Sequence, residues 1–322
     1  MTHLPKSVHI HEEGPREGFQ IEPGPIPTAR KLELIEALSE TGLDLITVAS
    51  FVNPKRVPGM ADADAIVEGL RPKPGVKYRA LWLNEQGFER ARAASQGKLT
   101  LDSKISIYAS ERFSLRNNNR TTAQEFEYAR SVVRRYKEYG VPVNRASVSS
   151  AFGCNFQGDI PIATLLDIFK QIFEIAQEND LVLEEISLSD TMAWATPLSI
   201  KRTLGAIRDK YPEMRLNLHL HDTRGLGLAN AAAGLEMGVD MFDACVGGLG
   251  GCPFAGHKGA AGNVCTEDLA FMCEEMGIAT GLDLDKLIAC ARLAEDIVGH
   301  PLPGSVMRGG SLKRLREALQ QA

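Results

Sequence analysis

The run Leu216-Asn217-Leu218-His219-Leu220-His221-Asp222 sets two histidines two positions apart. On a β-strand, alternate residues project to the same face, so both imidazoles enter one space. Each neutral ring offers a nitrogen lone pair, and two of them aimed at one point suit a divalent metal. The plainer alternative is two structural histidines, one at a loop and one satisfied in the core. A polar turn, Asp222-Thr223-Arg224-Gly225, follows and places the pair at the carboxyl end of its strand. Arg16 and Glu17 lie side by side between Gly14 and Gly18. They offer a cation for an oxyanion and an anion for a metal, or else form a solvated charged loop. Ser187-Leu188-Ser189-Asp190-Thr191 is a further polar cluster that could equally be a helix N-cap. In Gly247-Gly248-Leu249-Gly250-Gly251-Cys252-Pro253, four glycines in five residues make a mobile loop. A thiol on such a loop, Cys252, either covers a site on closure or serves as a small apolar plug. Asn263 lies just beyond and could lend a carbonyl oxygen to a hard cation, or be a turn residue.

These clusters need a frame that gathers strand ends. Short β-like runs at 8–11, 45–49, 78–83, 104–108, 146–150, 185–188, 216–221 and 241–246 alternate with amphipathic helical patterns such as 28–41, 123–139, 162–179 and 197–211. Eight strands, each followed by a helix, predict an α/β fold, a (β/α)8 TIM barrel with its chemistry at the carboxyl rim. A doubly wound sheet would more often carry a Gly-rich fingerprint after its first strand, and none stands there. The barrel is expected over 1–282, with 283–322 a C-terminal helical extension packed on it.

The 322 residues, 44% of them hydrophobic, suffice for one sizeable core. A formal net charge of -5 argues against a nucleic-acid partner, which calls for a basic patch. No apolar run approaches the roughly 20 residues that cross a bilayer, so no membrane partner is expected. Met1-Thr2-His3-Leu4-Pro5-Lys6 has the look of neither a secretory signal nor a transit peptide. The cysteines at 154, 245, 252, 265, 273 and 290 show no Cys-x-x-Cys pairing. They are read as thiols in a reducing, cytoplasmic setting.

Five motifs together resemble one family. They are residues 14–20 (Gly-Pro-Arg-Glu-Gly-Phe-Gln), 49–60 (Ala-Ser-Phe-Val-Asn-Pro-Lys-Arg-Val-Pro-Gly-Met), 187–191 (Ser-Leu-Ser-Asp-Thr), 219–225 (His-Leu-His-Asp-Thr-Arg-Gly) and 248–255 (Gly-Leu-Gly-Gly-Cys-Pro-Phe-Ala). Over nearly the whole chain they resemble the hydroxymethylglutaryl-CoA lyase branch of the metal-dependent barrel lyases and synthases. The resemblance implies cleavage of a 3-hydroxy-3-methylglutaryl thioester to acetyl-CoA and acetoacetate with Mg²⁺ or Mn²⁺, other divalent metals being possible. It implies Glu17, His219, His221 and Asn263 as metal ligands. It implies Arg16 on the thioester carbonyl, His219 in proton transfer, Asp190 as an acid of the site, and Cys252 on the closing loop. Gln20, Thr47, Ser50, Thr191, Lys55 and Arg116 are weaker expectations for substrate or CoA contact, and a homodimer is expected.

Two departures touch the site. Glu17 stands where the family has aspartate, and one extra methylene moves a carboxylate by more than about 1 Å. Thr47 stands where the family has a glutamate after the second strand, so a charged group is expected to be missing. The same bond cleavage on another 3-hydroxyacyl-CoA, such as citramalyl-CoA, is therefore a second reading. A condensing synthase of the same superfamily and a decayed CoA-binding barrel are the third and fourth.

Overall fold

The computed structural model describes residues 4–250 and 262–321. Its strands are β1 (His9–Glu12), β2 (Leu45–Ser50), β3 (Lys77–Leu81), β4 (Ser103–Tyr108), β5 (Val143–Ser149), β6 (Glu185–Asp190), β7 (Leu216–Leu220) and β8 (Met241–Ala244). Each of the eight is followed by helix, the alternation of an α/β protein of the (β/α)8 kind. Every expected strand and helix is present, and the differences lie at their ends. β5 begins three residues before 146, at Val143. β8 stops at Ala244, because the chain tightens into a 3₁₀ turn over Val246–Gly248, where Gly247 takes a φ of +67°. His221 falls one residue beyond β7.

The chain divides into two compact units. One contains residues 6–100, 243–250 and 262–321 of the described chain. In it β1, β2 and β3 run parallel, with Glu12 opposite Ile46 and Leu45 opposite Lys77. All six residues of β2 are buried, as expected of a parallel strand covered on both faces. The helix Thr28–Ser39 buries Leu34, Ile35 and Leu38, and packs against Leu284–Val298, which buries Leu287, Ala291 and Ala294. The spacings i, i+1, i+4 and i, i+4, i+7 are those of one apolar helix stripe.

The other unit contains residues 101–242. There β4, β5, β6 and β7 lie side by side and parallel. Thr121 and Thr196 begin the helices Thr122–Glu138 and Pro197–Lys210 with capping boxes, Gln124 and Ser199 completing the reciprocal bonds. The helix Ile162–Glu178 turns Leu165, Ile168, Phe169, Ile172, Ile175 and Ala176 inward. Among the described residues no helix is long and apolar enough to cross a membrane.

Candidate active site

In the first unit, chemistry gathers where β1 ends. Gly14–Gly18 forms a π-helical turn, a rare conformation that recurs at functional sites, with Pro15 at its start. Gly14 packs tightly there: a Cβ would stand 2.5 Å from Glu12 Oε1, so the buried carboxylate would have to shift. The turn carries Arg16 and Glu17. Arg16 Nε donates to Glu13 Oε2 at 3.1 Å, Nη2 donates to the same oxygen, and Nη2 also lies 3.1 Å from Glu17 Oε2. Thr47, on β2, donates its hydroxyl to Glu13 Oε1 at 2.7 Å. The charge expected to be missing at Thr47 is therefore present: Glu13 brings a carboxylate to the threonine from the end of β1. Sequence reading missed Glu13, because its neighbours in the chain give no sign that its partner is 34 residues away.

Asn263 is buried and donates Nδ2 to Glu17 Oε1 at 3.0 Å. Its Oδ1 is buried and has no hydrogen-bond partner among the described residues. A buried amide oxygen without a donor is costly, and a hard cation is the natural partner for it beside a carboxylate. The residues present thus fit a divalent metal. Gly250, at φ +94°, lets the backbone lie close to this pair, since a Cβ there would stand 2.7 Å from Asn263 Nδ2.

Beneath the turn Glu12 is fully buried. Its Oε1 accepts the backbone N–H groups of Gly14 at 2.7 Å and Val246 at 3.0 Å, and its Oε2 accepts the Thr266 hydroxyl at 2.6 Å. Burial pushes its carboxyl up to about 7. Glu267 accepts the Gly247 N–H at 3.0 Å, and burial pushes it up to about 8. Cys265, Glu267 and Asp268 place a thiol and two carboxylates within 4.8 Å of one another. Asp268, however, accepts the N–H groups of Ser305 and Val306 and so caps the short helix Val306–Gly309. Glu267 and Asp268 of this cluster thus hold the backbone of Gly247, Ser305 and Val306. The Cys245 thiol is held well above its usual range by burial and by the nearby carboxylates of Glu17, Glu12 and Glu13, which leaves it protonated.

The second unit carries the histidines. Leu216, Leu218 and Leu220 are buried on one face of β7, and Asn217 and His219 stand on the other, with His221 continuing that alternation. The two imidazole centroids are 5.1 Å apart in an edge-on arrangement. His221 Nδ1 lies 3.1 Å from the Asp190 backbone oxygen. With the proton on Nδ1 donated there, Nε2 keeps the lone pair a metal needs. The carboxylate of Asp190 accepts the N–H groups of Trp194 at 2.8 Å and Ala195 at 3.0 Å, and burial raises its pKa. Thr191 accepts the Ser150 N–H on Oγ1 at 2.9 Å. Arg224 donates to the carbonyls of Met192 and Ala193 at 2.6 and 3.0 Å, and Asp222 accepts the Gly227 N–H. Much of the His-x-His-Asp-Thr-Arg motif thus holds the turn after β6 and starts the next helix. Sequence reading could have suspected this of Asp222, which stands five residues before a helical run.

The weaker expectations are distributed as follows. Ser50 is fully buried, with its hydroxyl unpartnered among the described residues. Gln20 sits half-buried just past the π-helical turn. Lys55 is exposed, and Arg116 is exposed with its guanidinium 4.8 Å above the Phe156 ring. Cys252 lies outside the described residues.

Comparison with known proteins bears on this arrangement. The HMGL-like family model matches residues 7–294. A hydroxymethylglutaryl-CoA lyase of Bacillus subtilis (strain 168) is 38% identical over 299 residues, 93% of this chain and 96% of its own. The mitochondrial hydroxymethylglutaryl-CoA lyase of Gallus gallus is 41% identical over 287 residues, 88% of this chain and 91% of its own. The crystal structure of the Bacillus subtilis HMG-CoA lyase superimposes with a TM-score of 0.84 at 37% identity, covering 94% of this chain and 97% of that one. So does an HMG-CoA lyase from Acinetobacter baumannii, in complex with coenzyme A and 3-methylmalate, with a TM-score of 0.84, 36% identity and 97% of both chains covered.

Proposed function

The chain belongs to the HMGL-like family, and from that premise we propose that it cleaves 3-hydroxy-3-methylglutaryl-CoA to acetyl-CoA and acetoacetate. It is an enzyme, a carbon–carbon lyase, as its relatives over about nine-tenths of its length are. The observation that carries the reading within the molecule is the Arg16–Glu17–Asn263 corner, with a buried amide oxygen left for a cation.

Glu17, His219, His221 and Asn263 would hold a divalent metal, Mg²⁺ or Mn²⁺. A divalent cation held there would supply Lewis acidity that makes the tertiary hydroxyl of the substrate more acidic. His219 takes part in proton transfer. Arg16 donates from Nη1, which has no partner among the described residues, to the thioester oxygen as enolate charge develops. A donor so aimed is typically worth roughly 3 kcal/mol in the transition state. Asp190 keeps the turn after β6 in place and, through its backbone oxygen, orients His221. Cys252 is assigned to the site by the family resemblance of its motif. Gln20, Ser50, Thr191, Lys55 and Arg116 contribute to the acyl and CoA contacts. We further assign residues 1–282 to the catalytic barrel and 283–322 to a helical extension, with a cytoplasmic homodimer as the working form.

Acetyl-CoA release from hydroxymethylglutaryl-CoA and from citramalyl-CoA by the Mn²⁺-loaded protein tests this. Fast release from the first confirms it. Release from citramalyl-CoA alone would replace it with the same chemistry on a different acyl-CoA, which the Glu17 departure favours. Silence on both would turn attention to the condensing direction or to a decayed site.

A further inference from the structure

The guanidinium of Arg16 spends one whole edge on a single carboxylate. Both Nε and Nη2 bond Glu13 Oε2, while the other Glu13 oxygen takes the hydroxyl of Thr47. The pair is well sheltered: the Glu13 and Arg16 side chains are 13% and 15% exposed. Solvent screening is weak at that depth, so this contact differs in kind from a surface ion pair. We propose that Glu13, clamped by Thr47, is a positioning residue that fixes the direction of Arg16 and keeps Glu17 available to the divalent cation. The inference rests on the roles given above to Arg16 and Glu17.

Two features of the geometry lead there. First, with the Nε/Nη2 edge anchored, Nη1 is the edge left over for a ligand oxygen, and its direction is set by Glu13. Second, Nη2 already stands 3.1 Å from Glu17 Oε2. Without Glu13, Glu17 would be the one anion beside Arg16 in the turn. The planar fork would then close on it with two parallel bonds, the arrangement that arginine and carboxylate prefer. A carboxylate so engaged makes a poorer metal ligand. Thr47 prevents Glu13 from swinging away, because its hydroxyl holds the oxygen that Arg16 does not use.

The test compares Glu13→Gln, Thr47→Val, Thr47→Ser and Arg16→Met with the unaltered full chain. Two quantities are read: Mn²⁺ affinity by electron paramagnetic resonance without substrate, and kcat and KM for hydroxymethylglutaryl-CoA. Glu13→Gln is expected to weaken Mn²⁺ binding and lower kcat, each by roughly 10- to 100-fold, as loss of a partner behind a metal ligand does. KM should stay within about twofold, and melting should be unchanged. Thr47→Val should move both quantities the same way by a smaller factor, roughly three- to tenfold, since Glu13 loses one bond and keeps those from Arg16, and Thr47→Ser should restore them. Wild-type Mn²⁺ affinity and kcat in Glu13→Gln, with Arg16→Met inactive, would overturn this inference alone. An Arg16→Met variant that turns over normally would overturn the underlying role of Arg16 instead. If Glu13→Gln does not fold, Thr47→Val against Thr47→Ser decides: equal behaviour of the two refutes the clamp.

Discussion

Replacing Glu12 with glutamine should flatten the dependence of stability on pH. Glu12 is wholly buried, and burial raises its carboxyl from 4.5 to about 7 despite three hydrogen bonds that favour the anion. Between pH 4.5 and about 7 the folded chain keeps a proton that the unfolded chain has lost, so stability falls as pH rises through that window. At about 1.36 kcal/mol per pKa unit, the loss across it is about 3 kcal/mol. Glutamine has the same shape and does not titrate. Its carbonyl oxygen can accept from Gly14 and Val246, and its amide can donate to the Thr266 oxygen, at the cost of the bond that the Thr266 hydroxyl now donates, a cost that does not vary with pH. An unfolding entropy near 2.1 cal/mol/K per residue gives about 0.7 kcal/mol/K for a chain of 322 residues. The variant should therefore melt close to the wild type at pH 5 and about 4–5 °C above it at pH 8. Calorimetry in matched buffers with EDTA reads the difference directly. Glu267, also pushed up by burial, to about 8, adds a slope of its own to both proteins and so largely cancels. Melting curves that run parallel from pH 5 to 8 would refute the assignment of a proton to Glu12.

Three further outcomes are expected. Asp190→Asn turns an NH2 group toward the N–H of Trp194 or Ala195 and should cost about 1–3 kcal/mol in urea unfolding. Asn263→Ala removes the unpartnered Oδ1 and should weaken Mn²⁺ binding roughly 10- to 100-fold with the circular dichroism spectrum unchanged; full affinity would exclude Asn263 as a ligand. Gly18→Ala would bring a Cβ to 2.7 Å from Leu249 Cβ, an overpacking that should cost about 1–3 kcal/mol by thermal melting.

The strands were legible because buried parallel strands leave continuous apolar runs bounded by polar turns, as at Leu45–Ser50. The histidine pair was legible because period-two spacing survives in any strand. Ends were less so: β8 closes early on a turn whose left-handed Gly247 looks in sequence like any other glycine of its loop. Pairings between distant residues left no trace in the chain. Glu13 with Thr47, Glu12 with Thr266 and Glu17 with Asn263 join positions 34, 254 and 246 residues apart. For that reason nothing in the sequence singles out Glu13. The bonds of Asp190 and Thr191 to the backbone of Trp194, Ala195 and Ser150 left no trace either, beyond the N-cap reading that their cluster allowed.

The ties of Glu12 also order events in time. Its partners Val246 and Thr266 lie 234 and 254 residues further along the chain. A ribosome adding about 5–20 residues per second delivers Thr266 roughly 13–50 s after Glu12. Throughout that interval the groups that hold Glu12 in the fold do not yet all exist, and its carboxylate at the end of β1 is left to water. A charge there resists burial against whatever hydrophobic segment emerges first, and it is relinquished when the late-arriving hydroxyl and amides take the carboxyl in. The full burial of Glu12 is thus available only once residues more than 230 positions further along the chain have been made.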